Sequence, residues 1–136
     1  MLKERFLEAL VAEDLGRGDL FSRISTGKPI RAYIIAKSDG VFAGEEYIET
    51  FAKMYGLSLE WKVTDGGRFE KGEKLLFISG DSNTILSLER SILDIVLHAS
   101  SIATLTAQYV DAIKDTGVKL LDTRKTRPLL RELEKY

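Results

Sequence analysis

The sequence has no cysteine and almost no net charge, and each absence excludes a class of function. Without cysteine there are no disulfides and no thiolate metal sites, and a reducing compartment is compatible with this composition. A formal net charge of −1 over 136 residues does not support a broad nucleic-acid-binding surface. No apolar run approaches membrane-spanning length, and the charged start of the chain lacks the apolar core of a signal peptide. We therefore expect a soluble cytoplasmic protein with no nucleic-acid or membrane partner.

The chain also lacks internal repeats, low-complexity segments and a phosphate-binding loop. Gly66 and Gly67 lie in a turn-rich connection, but the Lys-Ser/Thr pair that would bind phosphate and magnesium is missing there. His98 is the only histidine, and a lone histidine is more often a structural hydrogen-bonding residue than a base or a metal ligand. No nucleophile–base pair is visible.

What the sequence does contain is a clear alternation of helical and strand periodicity. Helices are predicted over residues 2–15, 45–55 and about 84–114, and strands over residues 31–37, 57–63, 74–80 and 118–121. Gly16 and Gly56 follow the first two helices and can take the left-handed cap conformation. The apolar face of the first helix comprises Leu2, Phe6, Leu7, Leu10 and Val11.

The long third helix is predicted to be apolar on two flanks. One stripe comprises Ile85, Leu88, Ile92, Val96, Ala99 and Ala103, and the second comprises Leu86, Leu93 and Leu97. A helix of this kind is mostly buried, either between two layers or at a subunit interface. Arg90 would then lie in a mostly buried surface, either paired with Asp94 one turn away or held ready for an anionic ligand. Both interpretations stay open.

Positive charge is concentrated in the last fifteen residues. Five cations stand there against Glu132 and Glu134: Arg124, Lys125, Arg127, Arg131 and Lys135. The cluster follows a short apolar run at residues 118–121 that is predicted to be the end of a buried strand, and Pro128 suits the first turn of a closing helix. Cations between a strand and a helix are well placed to bind the anionic groups of a small ligand.

Three stretches of the chain resemble motifs of the quinolinate phosphoribosyltransferases, the decarboxylating nicotinate-nucleotide pyrophosphorylases. They are EDLGRGDL at residues 13–20, LERS at 88–91 together with SSIATLT at 100–106, and DTRKTRPLLRELEKY at 122–136. The stretches lie in the family's order and spacing and together span nearly the whole chain. Any one of them alone would only be suggestive.

The resemblance implies an α+β architecture: a hammerhead-like N-terminal α/β domain with connecting helices, followed by the first strand of an incomplete α/β barrel. Residues 1–101 would form the N-terminal domain with a long interface helix, and residues 102–136 would begin the barrel. The family's usual pattern carries a histidine–arginine pair, a further lysine and acidic residues on later strands. These would lie beyond Tyr136, so we expect the chain to be an N-terminal portion that is inactive alone.

The resemblance also assigns roles to residues of this sequence. Arg124 would bind a quinolinate carboxylate, Thr123 would add a hydroxyl or backbone donor, and Lys125 would contact substrate carboxylate or phosphate and serve catalysis. Arg90 would reach the same pocket from the neighbouring subunit of a homodimer. Mg²⁺ would serve the pyrophosphate, through ligands beyond this chain. The remaining cations of the terminal stretch are interpreted as charge on a helix surface.

The implied reaction is phosphoribosyl transfer from phosphoribosyl pyrophosphate to quinolinate with decarboxylation, which gives nicotinate mononucleotide for NAD biosynthesis. Two alternatives remain: a non-catalytic dimerising or ligand-binding module, and the family's molybdenum-associated paralogue. The intact residues 123–126 and Glu89-Arg90 favour the quinolinate enzyme over the paralogue.

Four positions depart from the family's usual residues. Asp94 stands in place of a common asparagine and Ser101 in place of a common glycine, while Arg127 and Leu129 replace a common threonine and glycine. We expect Asp94 to matter most, because a carboxylate beside Arg90 would neutralise the guanidinium. Ser101 is expected to affect helix geometry rather than chemistry.

Overall fold

The computed structural model describes residues 2–136, with the side chain of Leu2 outside the described part. It has an α+β fold, as expected, and its elements follow in the order α1 (Leu2–Leu15), a 3₁₀ turn (Phe21–Arg23), β1 (Pro29–Ile35), β2 (Gly40–Val41), α2 (Glu45–Tyr55), β3 (Ser58–Trp61), β4 (Arg68–Phe69), β5 (Lys74–Asp81), α3 (Ser82–Ile113) and α4 (Arg131–Glu134). The three longer predicted helices are confirmed, and the strands predicted at 31–37, 57–63 and 74–80 form with slightly different ends.

Two small antiparallel sheets form the β layer. The larger has the strand order β1-β5-β3, with Ala32 opposite Ile78 and Leu59 also opposite Ile78, and the smaller pairs β2 with β4. Burial alternates along β1 and β3, so each of these strands turns one face to the core and the other outward. The most deeply buried core side chains come from helices, strands and the loop after β2: Leu7, Phe42, Ile48, Phe51, Leu76, Leu88 and Ile95.

Helix α2 has clear start and stop signals. Glu45 and Glu46 lie in its first turn, where the helix dipole favours negative charge. Gly56 ends it with φ 67°, a left-handed conformation that glycine adopts without a Cβ penalty. The amphipathic pattern buries Tyr47 and Ile48 against the core.

Helix α3 is one continuous helix of 32 residues. Asp81 caps it by accepting hydrogen bonds at Oδ2 from the backbone N–H groups of Asn83 (2.9 Å) and Thr84 (3.2 Å). The first predicted stripe is confirmed as the buried face, except that Ala103 is only half-buried. The second stripe is not buried within one chain, since Leu86, Leu93 and Leu97 are 45%, 40% and 68% exposed, and its burial at a subunit interface stays a prediction.

The small polar residues of α3 join the helix to the smaller sheet. Ser100 Oγ accepts a hydrogen bond from the Ala43 backbone N–H at 3.1 Å, and Thr104 Oγ1 accepts one from the Val41 N–H at 2.9 Å. A side chain at Gly40 would lie 2.9 Å from Thr104 Oγ1 and still closer to the ring of Phe69, so this approach requires glycine. The stretch SSIATLT thus contributes to the fold through Ser100 and Thr104.

Residues 118–121 do not form the predicted strand. Among the described residues they have no strand partner, and Val118, Leu120 and Leu121 are 62%, 44% and 82% exposed. A strand requires a neighbouring strand for its backbone N–H and C=O groups, and no strand within residues 2–136 pairs with the segment. No helix in the described part of the chain is both long enough and apolar enough to cross a bilayer.

Candidate functional site

The basic stretch forms an exposed loop between α3 and α4. We call residues 123–127 the basic loop; it contains a bend at Arg124 and no helix or strand. The Lys125 backbone N–H donates to Thr123 Oγ1 at 3.1 Å, which closes a tight local turn. Thr123, Arg124 and Lys125 are therefore held on one short turn, with all three residues exposed.

The cations of this region differ in whether a carboxylate neutralises them. Arg127 Nη1 lies 3.7 Å from Glu134 Oε1, and Lys135 Nζ lies 2.7 Å from Asp122 Oδ2. In contrast, neither Arg124 nor Lys125 forms an ion pair within residues 2–136. These two cations are thus free to attract an anionic ligand.

Glu134 connects α4 to α3 and to the basic loop. Its Oε1 lies 3.1 Å from His98 Nε2, and its Oε2 accepts a hydrogen bond from the Arg127 backbone N–H at 3.0 Å. The hydrogen bond from the Arg127 backbone is the main reason that the pKa of Glu134 is lowered; the contact with His98 acts in the same direction. His98 is a hydrogen-bonding residue in this network, in line with the sequence-based interpretation.

Tyr136 gives the end of the chain a second contact with the N-terminal part. Its hydroxyl donates to Asp65 Oδ2 and accepts from the Glu46 backbone N–H at 3.3 Å, and its ring packs edge-on against Tyr47 with 5.4 Å between centroids. Burial, and then the hydrogen bond to Asp65, raise the pKa of Tyr136 above its usual value. Leu133 is 5% exposed between these two contacts. Helix α4 is therefore packed firmly although it is short.

Arg90 is not buried within one chain, and its burial at a subunit interface stays a prediction. Its side chain is 72% exposed, and its Nε lies 3.5 Å from Oδ1 of Asp14, whose side chain is 28% exposed. The expected partner Asp94 makes no ion pair with Arg90 in the described part of the chain. Arg90 is exposed because no other element of the described chain covers Leu86, Leu93 and Leu97 on the flank of α3, which leaves the neighbouring polar seam open.

Within one chain, the structure holds Thr123, Arg124 and Lys125 on one turn but shows no polar contact between them and Arg90 among the described residues. Across residues 2–136, Arg90 makes no hydrogen bond or ion pair with Thr123, Arg124 or Lys125. Asp14, which lies in the stretch EDLGRGDL, had no role predicted beyond that resemblance. The nearby Asp19 accepts from Phe21 N–H at 3.0 Å and from Ser87 Oγ at 2.9 Å, so it joins the loop after α1 to α3.

A cleft of about 450 Å³ lies between α1, α3 and α4. Its lining is mainly apolar and includes Asp94 and Ser101, two of the departures from the family's pattern, beside His98. Arg124 and Lys125 do not line it. The described residues contain no group of three His, Asp or Glu side chains that could hold a metal ion.

The backbone conformation at Leu129 shows what this departure from the family's common glycine costs. It has φ 66°, the only positive φ among the described non-glycine residues, and it is 93% exposed. A left-handed conformation costs an L-residue about 1–2 kcal/mol, which glycine avoids. The glycine that the family commonly has at this position therefore fits the backbone, and the leucine is accommodated with strain.

Comparison with known proteins gives consistent relationships for the whole chain. The family model described as "Quinolinate phosphoribosyl transferase, N-terminal domain" matches residues 19–100, and the one described as "Quinolinate phosphoribosyl transferase, C-terminal domain" matches residues 102–136. A probable nicotinate-nucleotide pyrophosphorylase (carboxylating) of Bacillus subtilis (strain 168) is 37% identical over 98% of this chain and 47% of that protein. Quinolinate phosphoribosyltransferase (decarboxylating) 1 of Nicotiana glauca is 35% identical over 92% of this chain and 36% of that protein.

Solved structures give the same relationship. NadC from Streptococcus pyogenes superposes with a TM-score of 0.89 at 32% identity, and the match covers 98% of this chain and 50% of the NadC chain. The nicotinate-nucleotide pyrophosphorylase from Francisella tularensis superposes with a TM-score of 0.92 at 26% identity. That match covers 99% of this chain and 50% of the Francisella chain. The chain thus spans about half the length of these relatives. By its matches over both domains, its identity to several relatives and its fold, the chain belongs to the quinolinate phosphoribosyltransferase family.

Proposed function

We propose that this chain supplies the N-terminal part of an enzyme that transfers the phosphoribosyl group of phosphoribosyl pyrophosphate to quinolinate, with loss of carbon dioxide. The names of the relatives support this, since "carboxylating" and "decarboxylating" describe one reaction read in opposite directions. The single observation that carries the proposal is the pair Arg124 and Lys125, two exposed cations on one tight turn without a carboxylate partner among the described residues.

The basic loop has the chemistry that quinolinate requires. Quinolinate carries two adjacent carboxylates, and its co-substrate is also an anion, so fixed cations are needed to bring them together. The planar fork of Arg124 matches a carboxylate with two hydrogen bonds, whereas Lys125 offers a point charge to a carboxylate or phosphate. Thr123 adds a hydroxyl beside them. In this proposal Lys125 also serves the chemical step.

The proposed reaction needs positioning and charge stabilisation rather than a nucleophilic side chain. The ring nitrogen of quinolinate forms a bond to the anomeric carbon, and the bond from that carbon to pyrophosphate breaks. The quaternised nitrogen then stabilises the carbanion that remains when carbon dioxide leaves, and a proton takes its place. Cations at residues 124 and 125 hold the substrate carboxylate during the first step.

We further propose a homodimer in which Arg90 serves the site of the partner subunit. Arg90 is 72% exposed and its Nε lies 3.5 Å from Asp14 Oδ1, so the guanidinium is accessible to a ligand held by a second subunit. The exposed side chains of Leu86, Leu93 and Leu97 form an apolar flank on the same helix, which a second copy would cover.

Three further parts of the proposal rest on the family resemblance: the magnesium ion, the domain division and the cellular location. Magnesium would accompany the pyrophosphate, and because no described cluster of this chain fits a metal ion, we derive no step through it. The domain division after residue 101 would fall inside the continuous helix α3. A cytoplasmic location would suit an enzyme of NAD biosynthesis.

The test is a fusion of residues 1–136 to the part of the Bacillus subtilis relative that follows the matched region. We expect the fusion to form nicotinate mononucleotide only when both quinolinate and phosphoribosyl pyrophosphate are present, and residues 1–136 alone to form none. A folded fusion that makes no product would contradict the proposed enzyme and favour a non-catalytic binding module. Product formation by residues 1–136 alone would contradict the claim that they form only part of the site.

A further inference from the structure

Arg131 contacts the basic loop at two points. Its Nη2 donates to the backbone carbonyl of Arg124 at 3.2 Å, and its Nε donates to Thr126 Oγ1 at 3.1 Å. These acceptors lie on either side of Lys125. One rigid guanidinium therefore holds the backbone on one side of Lys125, for which we propose a catalytic role, and a side-chain hydroxyl on the other.

The helix that carries Arg131 is itself firmly placed. Leu133 is buried, Glu134 contacts His98 on α3, and Tyr136 donates to Asp65. Arg131 thus extends from a fixed base, whereas the basic loop has no strand or helix hydrogen bonds of its own to keep its shape. The two hydrogen bonds from Arg131 compensate for this lack.

Arg131 has no carboxylate partner within residues 2–136, unlike Arg127 and Lys135, which pair with Glu134 and Asp122. A guanidinium that binds only a carbonyl and a hydroxyl keeps its full positive charge. It therefore raises the local potential beside Arg124 and Lys125 without requiring an anion that would compete with the substrate. Arg131 lies on the exposed surface of α4, as interpreted from the sequence, and makes these two contacts in addition.

We propose that Arg131 is a positioning residue for quinolinate binding: by holding the Arg124 carbonyl and the Thr126 hydroxyl, it preorganises the turn that presents Arg124 and Lys125 to the substrate. This inference rests on the proposed function for its substrate. The preorganisation itself is a property of this chain and is measurable without any substrate.

The first measurement is the backbone order of the loop in residues 1–136, by ¹⁵N relaxation of the wild type and of Arg131→Met, Arg131→Lys and Arg68→Gln. Arg68 is the matched control, because it is an exposed arginine that pairs with Asp111 on α3 and makes no hydrogen bond or ion pair with the basic loop within residues 2–136. We expect the order parameters of residues 124–127 to fall below about 0.6 in Arg131→Met, to fall less in Arg131→Lys and to stay unchanged in Arg68→Gln. Unchanged order in Arg131→Met would overturn the proposal, whatever the protein catalyses.

The second measurement is steady-state kinetics of the same variants in the fusion described above. Loss of preorganisation raises the KM for quinolinate, by about tenfold in Arg131→Met, with partial rescue by Arg131→Lys. Partial unfolding would instead lower the apparent kcat and leave KM unchanged. A disordered loop with an unaltered KM for quinolinate would overturn the role in substrate binding, whereas an inactive wild-type fusion would count against the proposed function and not against the loop order.

Discussion

Glu134 Oε1 lies 3.1 Å from Nε2 of His98, and this contact joins the last helix of the chain to its longest one. The same carboxylate accepts the Arg127 backbone N–H, so a single side chain holds α4, α3 and the end of the basic loop together. Because Glu134 is only 13% exposed, the contact is shielded from solvent more than the other ion pairs of the terminal stretch.

The stability of the chain should depend on pH through Glu134. Its pKa in the folded state is lowered from the ordinary value of 4.5, mainly by the Arg127 backbone hydrogen bond. The stabilising contribution is therefore fully present above that ordinary value and is lost as pH falls through the lower folded-state pKa. Urea unfolding at a series of pH values should show wild type losing stability in this acidic range more steeply than Glu134→Gln.

The control for this effect is Glu8→Gln, at an exposed position of α1. The stability of the Glu8→Gln variant should fall with decreasing pH as steeply as that of the wild type. Equal pH dependence in wild type and Glu134→Gln would mean that the contacts of Glu134 contribute nothing to folding.

Replacing Leu129 with glycine should stabilise the chain. Glycine removes the left-handed strain at φ 66°, loses little burial because Leu129 is 93% exposed, and adds some backbone entropy to the unfolded state. The net gain expected is about 0.5–1 kcal/mol in the free energy of unfolding. Chemical denaturation followed by circular dichroism measures it.

Leu121→Gly is the matched control, since Leu121 is also exposed but does not have a positive φ. This variant should be neutral or slightly destabilised because only the entropic cost remains. If Leu129→Gly were destabilised as much as Leu121→Gly, the left-handed conformation at residue 129 would not be the conformation in solution.

The helices and Arg90 illustrate what the sequence could and could not predict. Helices α1, α2 and α3 were predictable because their apolar spacing, glycine stops and the Asp81 cap are local signals. The exposure of Arg90 was not, since it depends on whether anything covers Leu93 and Leu97 and on a contact with Asp14 far away in the sequence. Periodicity reports that a flank is apolar but not what covers it.

The terminal stretch marks a similar limit. Its cations were visible as a cluster, and Arg124 and Lys125 do emerge as the two that lie on one turn without a carboxylate partner among the described residues. The strand predicted before them depended on a neighbouring strand, and none of the described strands pairs with this segment. The role of Arg131 had no local signal, because its acceptors are a backbone carbonyl and a threonine hydroxyl.

The shared site can be tested by mixing two inactive fusions, one with Arg90→Gln and one with Arg124→Gln. If Arg90 serves the partner's site, a hybrid dimer contains one site with both defects and one with neither. Subunit exchange should therefore restore about a quarter of the wild-type activity. Mixing Arg124→Gln with an Arg124→Gln, Arg90→Gln double variant is the control and should restore none.

Subunit exchange without restored activity would contradict the proposal that Arg90 serves the partner's site. If the two inactive single variants exchange subunits but no activity returns, Arg90 and Arg124 act in the same subunit. If Arg90→Gln alone keeps wild-type activity, Arg90 has no part in the site. Exchange itself is followed by native mass spectrometry of differently tagged fusions.

The central claim is that Arg124 holds a carboxylate of quinolinate, and the most direct measurement is kcat/KM for quinolinate in the fusion carrying Arg124→Gln. Loss of a charged, two-point hydrogen bond of about 3 kcal/mol lowers kcat/KM by about 100-fold, whereas Arg68→Gln, which also removes one exposed guanidinium, leaves it within about twofold. A kcat/KM for Arg124→Gln equal to that of Arg68→Gln would contradict the assignment of the basic loop as the quinolinate site.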